Sequence, residues 1–172
     1  RFALERCSTA REAIALIGSL AEEYGYLDEG ECLTIADKKE VWHFEIYGNG
    51  TLPVDPKAKK SRKAPVDKPG AMWVAQRIPD DHVGVSANIP RIGVVDFNNP
   101  DMFMYSTGLK DRAKALGLWS GEGDFVFYKV VSDEPKPFSY REFYVLSTMA
   151  PSLGLKFSDP ELPFSVKPDK KV

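Results

Sequence analysis

Two aromatic segments, EVWHFEIYG at Glu40–Gly48 and GAMWVAQRI at Gly70–Ile78, most constrain how this chain folds. Strand side chains alternate, so Trp42, Phe44 and Ile46 share a wholly apolar face while Val41, His43, Glu45 and Tyr47 share the other. Trp73 carries the same signal in Met72–Ile78. A hairpin between the two segments is the simplest topology, with the polar insert 49–70 looping out between them. An insert of that length with the run KAKKSRK at Lys57–Lys63 reads as a mobile, solvated surface loop.

Upstream, Ala10, Ala13, Ile14, Ile17, Leu20 and Ala21 recur at three- and four-residue spacing, which predicts an amphipathic helix over Ser8–Tyr24. Ser8 or Thr9 can cap it and Gly25 can stop it. Cys32–Ala36 reads as a strand, turned back by Asp37-Lys38-Lys39-Glu40. After the turn Pro79-Asp80-Asp81, the apolar run Val83–Ala87 ends on Asn88, and Pro90 biases the residue before it to extended backbone. Ile92–Phe97 is a further apolar stretch. A second helix is expected over Thr107–Leu118, a strand over Asp124–Val131 and a third helix over Tyr140–Met149. Residues 151–172, with four prolines, read as an extended connector. The fold class is therefore α+β with antiparallel strands. The 172 residues allow one domain with a sizeable core, in which roughly 70% of the unfolded surface is buried. The initial arginine and the charged end FSVKPDKKV lead us to read the chain as an internal piece of a longer protein.

Composition narrows the partners. A net charge of −2 and a pI near 5.8 supply no basic field for nucleic acid, and no apolar run is long enough to cross a bilayer. Cys7 and Cys32 form neither a disulfide framework nor a metal spacing.

Local chemistry offers few candidates. His43 and Glu45 share a strand face and could bind zinc or act as base and orienter, but with two histidines in the chain the residues favour a hydrogen-bonded histidine in a sheet and a glutamate held by a basic partner. Asp80 and Asp81 beside His82 lack the spacing of a calcium loop and read as turn residues. Cys7, before a helix, and Cys32 have no local base to activate them. No cofactor or metal motif is present. Asn88 can form a turn, or its amide can stabilise an oxyanion if held rigidly at a strand end.

The motifs Glu40-x-Trp42, Trp73-x-Ala75-x-Arg77, Ser86-Ala87-Asn88 and Pro163-Phe164-Ser165-Val166-Lys167-Pro168, in this order, resemble the bacterial dipeptidase family that includes the secernins. These are N-terminal-nucleophile hydrolases of the cysteine type, and the resemblance runs from the first helix to the last residue. It implies part of an αββα sandwich of two antiparallel sheets between helices. It also implies a thiol that attacks a small peptide, an α-amino group of pKa about 8 as base and then acid, and hydrolysis of an acyl-enzyme. The nucleophile opens the mature chain of that family, upstream of the segment present here, so Cys7 is not assigned to the role. Asn88 matches the family asparagine, with an implied oxyanion or substrate-orienting role, while Arg77 and Glu45 occupy motif positions that fit bracing of the sheet. The isolated chain is expected to be inactive and, with exposed sheet edges, to self-associate. Two alternatives stay open: an amidase acting on another small acyl-amino acid in the same fold, and a non-catalytic interaction domain.

Overall fold

The computed structural model describes residues 2–48 and 70–169. The basic insert, Lys57–Lys63 included, lies outside the described residues. Helix α1 (Ala10–Tyr24) starts on a capping box: Thr9 accepts from the Glu12 N–H at 3.2 Å, and the Glu12 carboxylate accepts from the Thr9 N–H at 3.2 Å and the Ser8 N–H at 2.8 Å. Such caps contribute about 0.5–2 kcal/mol by satisfying amides the helix cannot. Gly25, at φ 85°, ends the helix in a conformation that costs a side chain dearly.

Strands β1 (Glu31–Ala36), β2 (Val41–Gly48), β3 (Ala71–Ile78), β4 (Val83–Gly84) and β5 (Phe103–Tyr105) follow, then α2 (Leu109–Ala115), α3 (Phe127–Val131), α4 (Tyr140–Met149), a 3-10 turn at Pro151–Leu153 and β6 (Ser165–Val166). One antiparallel sheet runs in the order β1-β2-β3-β5, and β4 pairs with β6 in a second, two-stranded one. The chain is thus mixed α+β with antiparallel sheets, and the hairpin across the insert is present, with Gly48 opposite Ala71.

Both faces of the four-stranded sheet are covered. Trp42, Phe44, Ile46, Trp73 and Ala75 meet Ala10, Ile14 and Ala21 of α1 on one side. Tyr47, Met72 and Val74 meet Ile92, Leu109, Ala113, Phe127 and Val130 on the other. The alternation read in Val41–Tyr47 is therefore the division between two cores. Gly18 lets α1 approach closely: a Cβ there would lie 2.4 Å from the Trp73 ring, whose Nε1 donates to Glu22 at 2.8 Å. A third cluster, Phe138, Leu146, Ala150, Leu162 and Val166, packs α4 against the β4–β6 ribbon.

Two expectations are corrected. Asp124–Val131 is not a strand: one bridge joins Val126 to Val94, and from Phe127 the chain turns into α3. The Phe127 and Tyr128 amides donate to the Gly93 and Ile92 carbonyls at 2.9 Å, so the segment docks end-on to its neighbour while Phe127, Tyr128, Val130 and Val131 are all buried. A segment this short, with Lys129 its one exposed position between buried pairs, is too brief for a period that separates strand from helix. The second correction is β5, Phe103–Tyr105, which no expected element covered and which pairs with Val74–Gln76 at the far edge of the sheet.

Candidate functional site

Asn88 lies three residues past Val85, on the loop that leaves β4. With φ 61° it is the single non-glycine residue in the left-handed region among the described residues. Asparagine is one of the few residues that tolerate this backbone. Its side chain is fixed from α4: Arg141 donates through Nη1 to Asn88 Oδ1 at 3.2 Å and through Nη2 to the Ala87 carbonyl at 2.5 Å. A guanidinium can only donate, so the oxygen branch of the amide faces Arg141 and the NH2 branch is turned from it. Asn88 is exposed and lines, with Cys32, Tyr47, Ser86, Ile89, Pro90 and others, a cleft of about 500 Å³.

The loop is anchored beneath Asn88 by a buried carboxylate. Glu45 is 0% exposed, and its Oε1 accepts from the amides of Arg91 at 2.5 Å and Ile92 at 3.2 Å and from His43 Nε2 at 2.7 Å. The Arg91 side chain, also buried, reaches the opposite way to the Pro137 carbonyl at 2.5 Å and the Pro163 carbonyl at 2.7 Å. Burial lowers the Arg91 pKa, and the charges of Glu142 and Glu45 oppose that shift. Glu142 is wholly buried at the first turn of α4, where its Oε2 accepts from the Ser139 amide at 2.7 Å. One arginine thus ties the Asn88 loop, the start of α4 and the chain before β6 together.

Cys32 stands directly opposite Glu45 in the β1–β2 register and so on its face, as is His43 two residues earlier. A sulfur, an imidazole nitrogen and a carboxylate oxygen from the three lie within 4.8 Å of one another. Burial, and then the Glu45 charge, push the Cys32 thiol up to about 12, against a hydrogen bond with Ser86 that lowers it. Such a thiol holds its proton at neutral pH and is a poor nucleophile. Cys7, half-buried before α1, donates its backbone amide to Ala3.

The other sequence candidates are engaged in bracing. Arg77 pairs with Asp80 at 2.6 Å and Glu40 at 3.5 Å, and Glu40 also accepts from Arg11 at 2.9 Å. Asp81 pairs with Lys167 at 2.7 Å, a hydrogen bond that holds its carboxyl below the usual range, and His82 meets Ser165 at 2.9 Å. The Pro-Asp-Asp turn is thereby stitched to the Pro163–Pro168 motif. His43 is hydrogen-bonded in a sheet as expected, but Glu45 is held by two backbone amides and a histidine rather than by a basic side chain.

Arg91 and Arg141 carried no signal in the sequence, since each acts across more than forty residues of chain, whereas Glu142 carried one, standing three residues after Ser139 in the Ser-x-x-Glu spacing of a capping box. The meeting of Cys32 with Glu45 did: counting outward from the four-residue turn Asp37–Glu40 pairs residue 36 with 41 and hence 32 with 45.

Two antiparallel sheets, helices against both faces of the larger, and a cleft edged by a rigid left-handed asparagine define a class of α+β domain with a preorganised amide at its cleft. The model of Peptidase family C69 matches residues 1–172, and the chain belongs to that family. It is 30% identical over 169 residues to a probable dipeptidase of Latilactobacillus sakei, an alignment covering 96% of this chain and 31% of that protein. It is 30% identical over 129 residues to a probable dipeptidase of Salmonella dublin, covering 74% of this chain and 25% of the relative. Probable dipeptidase B of Streptococcus pyogenes serotype M1 is 30% identical over 132 residues, 77% of this chain and 22% of the relative. The chain spans about a third or less of the length of these relatives.

Proposed function

We propose that this chain is the part of a dipeptidase that carries Asn88 to the active site, with the nucleophile supplied by a segment outside it. The observation that carries this reading is the posture of Asn88. Its left-handed backbone and its oxygen, held by Arg141, leave the amide nitrogen on the branch available to a ligand in the cleft. Family membership and the names of the relatives support peptide-bond hydrolysis as the reaction.

In the mechanism proposed, an N-terminal cysteine thiol attacks the scissile carbonyl of a dipeptide. The α-amino group of the same residue takes the thiol proton and returns it to the leaving amine, and water then hydrolyses the thioester. Asn88 donates to the carbonyl oxygen as negative charge builds on it, or to the substrate beside that oxygen. A preorganised donor costs no reorganisation at the moment of reaction, and one such donor lowers the barrier by about 3–4 kcal/mol. Glu45 and Arg91 act through the loop, fixing where Asn88 stands. Neither Cys32, which keeps its proton, nor Cys7 takes the nucleophile's part in this scheme.

The test is made on the full-length protein. N-terminal sequencing of its mature form is expected to read cysteine, and the protein is expected to hydrolyse dipeptides such as Leu-Leu. A mature N-terminus other than Cys, Ser or Thr refutes the nucleophile scheme. Failure to cleave dipeptides alongside turnover of other acyl-amino acids makes it an amidase of different specificity.

A further inference from the structure

We propose that Cys32, His43 and Glu45 form a binding site for a thiophilic divalent cation of the zinc class. The site goes beyond the peptidase reading and does not depend on it. The three residues bring one sulfur, one imidazole nitrogen and one carboxylate oxygen, the donor set zinc takes in proteins, from two adjacent strands of one rigid hairpin.

Three features of the geometry fit. Zinc bond lengths of about 2.0–2.3 Å in tetrahedral geometry place ligand atoms about 3.3–3.8 Å apart. The donor atoms here lie within 4.8 Å of one another, so small side-chain rotations bring all three to that spacing. Second, Glu45 has a lone oxygen to give. Its Oε1 is taken by Arg91, Ile92 and His43, whereas Oε2 is buried without a hydrogen-bond partner in a side chain that is 0% exposed. A buried carboxylate oxygen left unpaired keeps its full desolvation penalty, and a cation removes it. Third, the two amides on Oε1 orient the carboxylate as outer partners orient metal ligands elsewhere.

The fourth position has a way out. His43 lines one cleft of the molecule and Cys32 the other, and Ser86 lines both. Three protein ligands with an open position are the pattern of a zinc site that accepts water or a small ligand. On binding, the Cys32 sulfur forms the metal bond as its proton passes to solvent, and His43 gives up its Nε2 proton and takes one at Nδ1, so that the freed Nε2 lone pair binds the metal in place of the hydrogen bond to Glu45.

Cobalt(II), titrated into the purified chain, reports the site directly. The expected result is a saturable one-to-one complex with a thiolate-to-cobalt charge-transfer band and the intense visible bands of four-coordination, both removed by added zinc. Cys32→Ser abolishes the charge-transfer band. His43→Gln keeps it at high cobalt but weakens binding on the order of tenfold or more. Cys7→Ser changes nothing. Circular dichroism and a urea midpoint establish that each variant is folded. If Cys32→Ser does not fold, the wild-type titration decides alone: a folded chain with no charge-transfer band overturns the proposal. So does a band lost in Cys7→Ser, or one unmoved by His43→Gln.

Discussion

Arg141 grips Asn88 from a helix fifty-three residues away, its guanidinium bridging the Asn88 amide oxygen at 3.2 Å and the Ala87 carbonyl at 2.5 Å. That bridge turns a residue exposed on a loop into one with a defined orientation. If the full-length protein works by the proposed mechanism, Asn88→Ala lowers its kcat on a dipeptide by about 10²–10³ with little change in KM, the signature of a donor used in the transition state. Arg141→Ala should lower kcat less, because Asn88 remains but loses its orientation. Steady-state kinetics on a dipeptide separate the two, and a wild-type kcat in Asn88→Ala removes Asn88 from the mechanism.

Glu45 is expected to matter more to stability than its motif position suggests. Glu45→Gln replaces a charged acceptor of two buried amides by a neutral one and removes a charge that compensates the buried Arg91. Breaking such an arrangement costs about 2–4 kcal/mol. Urea denaturation measures it, and a midpoint within error of wild type would show that the amides find another acceptor.

Gly18 tests a contest between two effects. In a free helix Gly→Ala stabilises by about 1 kcal/mol. Here the added Cβ meets the buried Trp73 ring at 2.4 Å, and overpacking of this kind costs about 1–3 kcal/mol. Gly18→Ala is therefore expected to lower the melting temperature, and Trp73→Phe in the same chain to restore part of the loss. A rise in Tm for the single variant would mean that α1 moves off the sheet at little cost.

The turn at Asp37 makes stability depend on acid pH. Its carboxylate accepts from the amides of Ala10 at 2.8 Å, Lys39 at 2.7 Å and Glu40 at 3.1 Å, which hold its pKa below the usual value. A folded-state pKa below the unfolded one, about 3.9, gives stability that is full above the unfolded value and lost as pH falls through the folded one. Asp37→Asn should thus be less stable than wild type at pH 7 by a few degrees of Tm, with the gap closing below about pH 4. Thermal melts across that range check it, and a gap constant down to strongly acid pH would contradict the assignment.

Sequence alone determined the local things. The capping box at Thr9 and Glu12, the stripe of α1, the alternation of Val41–Tyr47 and the turn at Asp37–Glu40 are all set within a few residues by spacing and side-chain chemistry. The position of Asn88 at the end of an apolar run was legible in the same way. Tertiary structure alone decided what those elements do together. Whether Asp124–Val131 became strand or helix depended on its docking against Ile92 and Gly93, because the run is too short for a periodicity that distinguishes them. The grip of Arg141, the anchoring of the loop by Glu45 and the placing of Arg91 between two prolines each join residues more than forty positions apart. Such contacts arise when the chain closes on itself, because a hydrogen bond senses distance in space, and spacing along the chain carries no record of it.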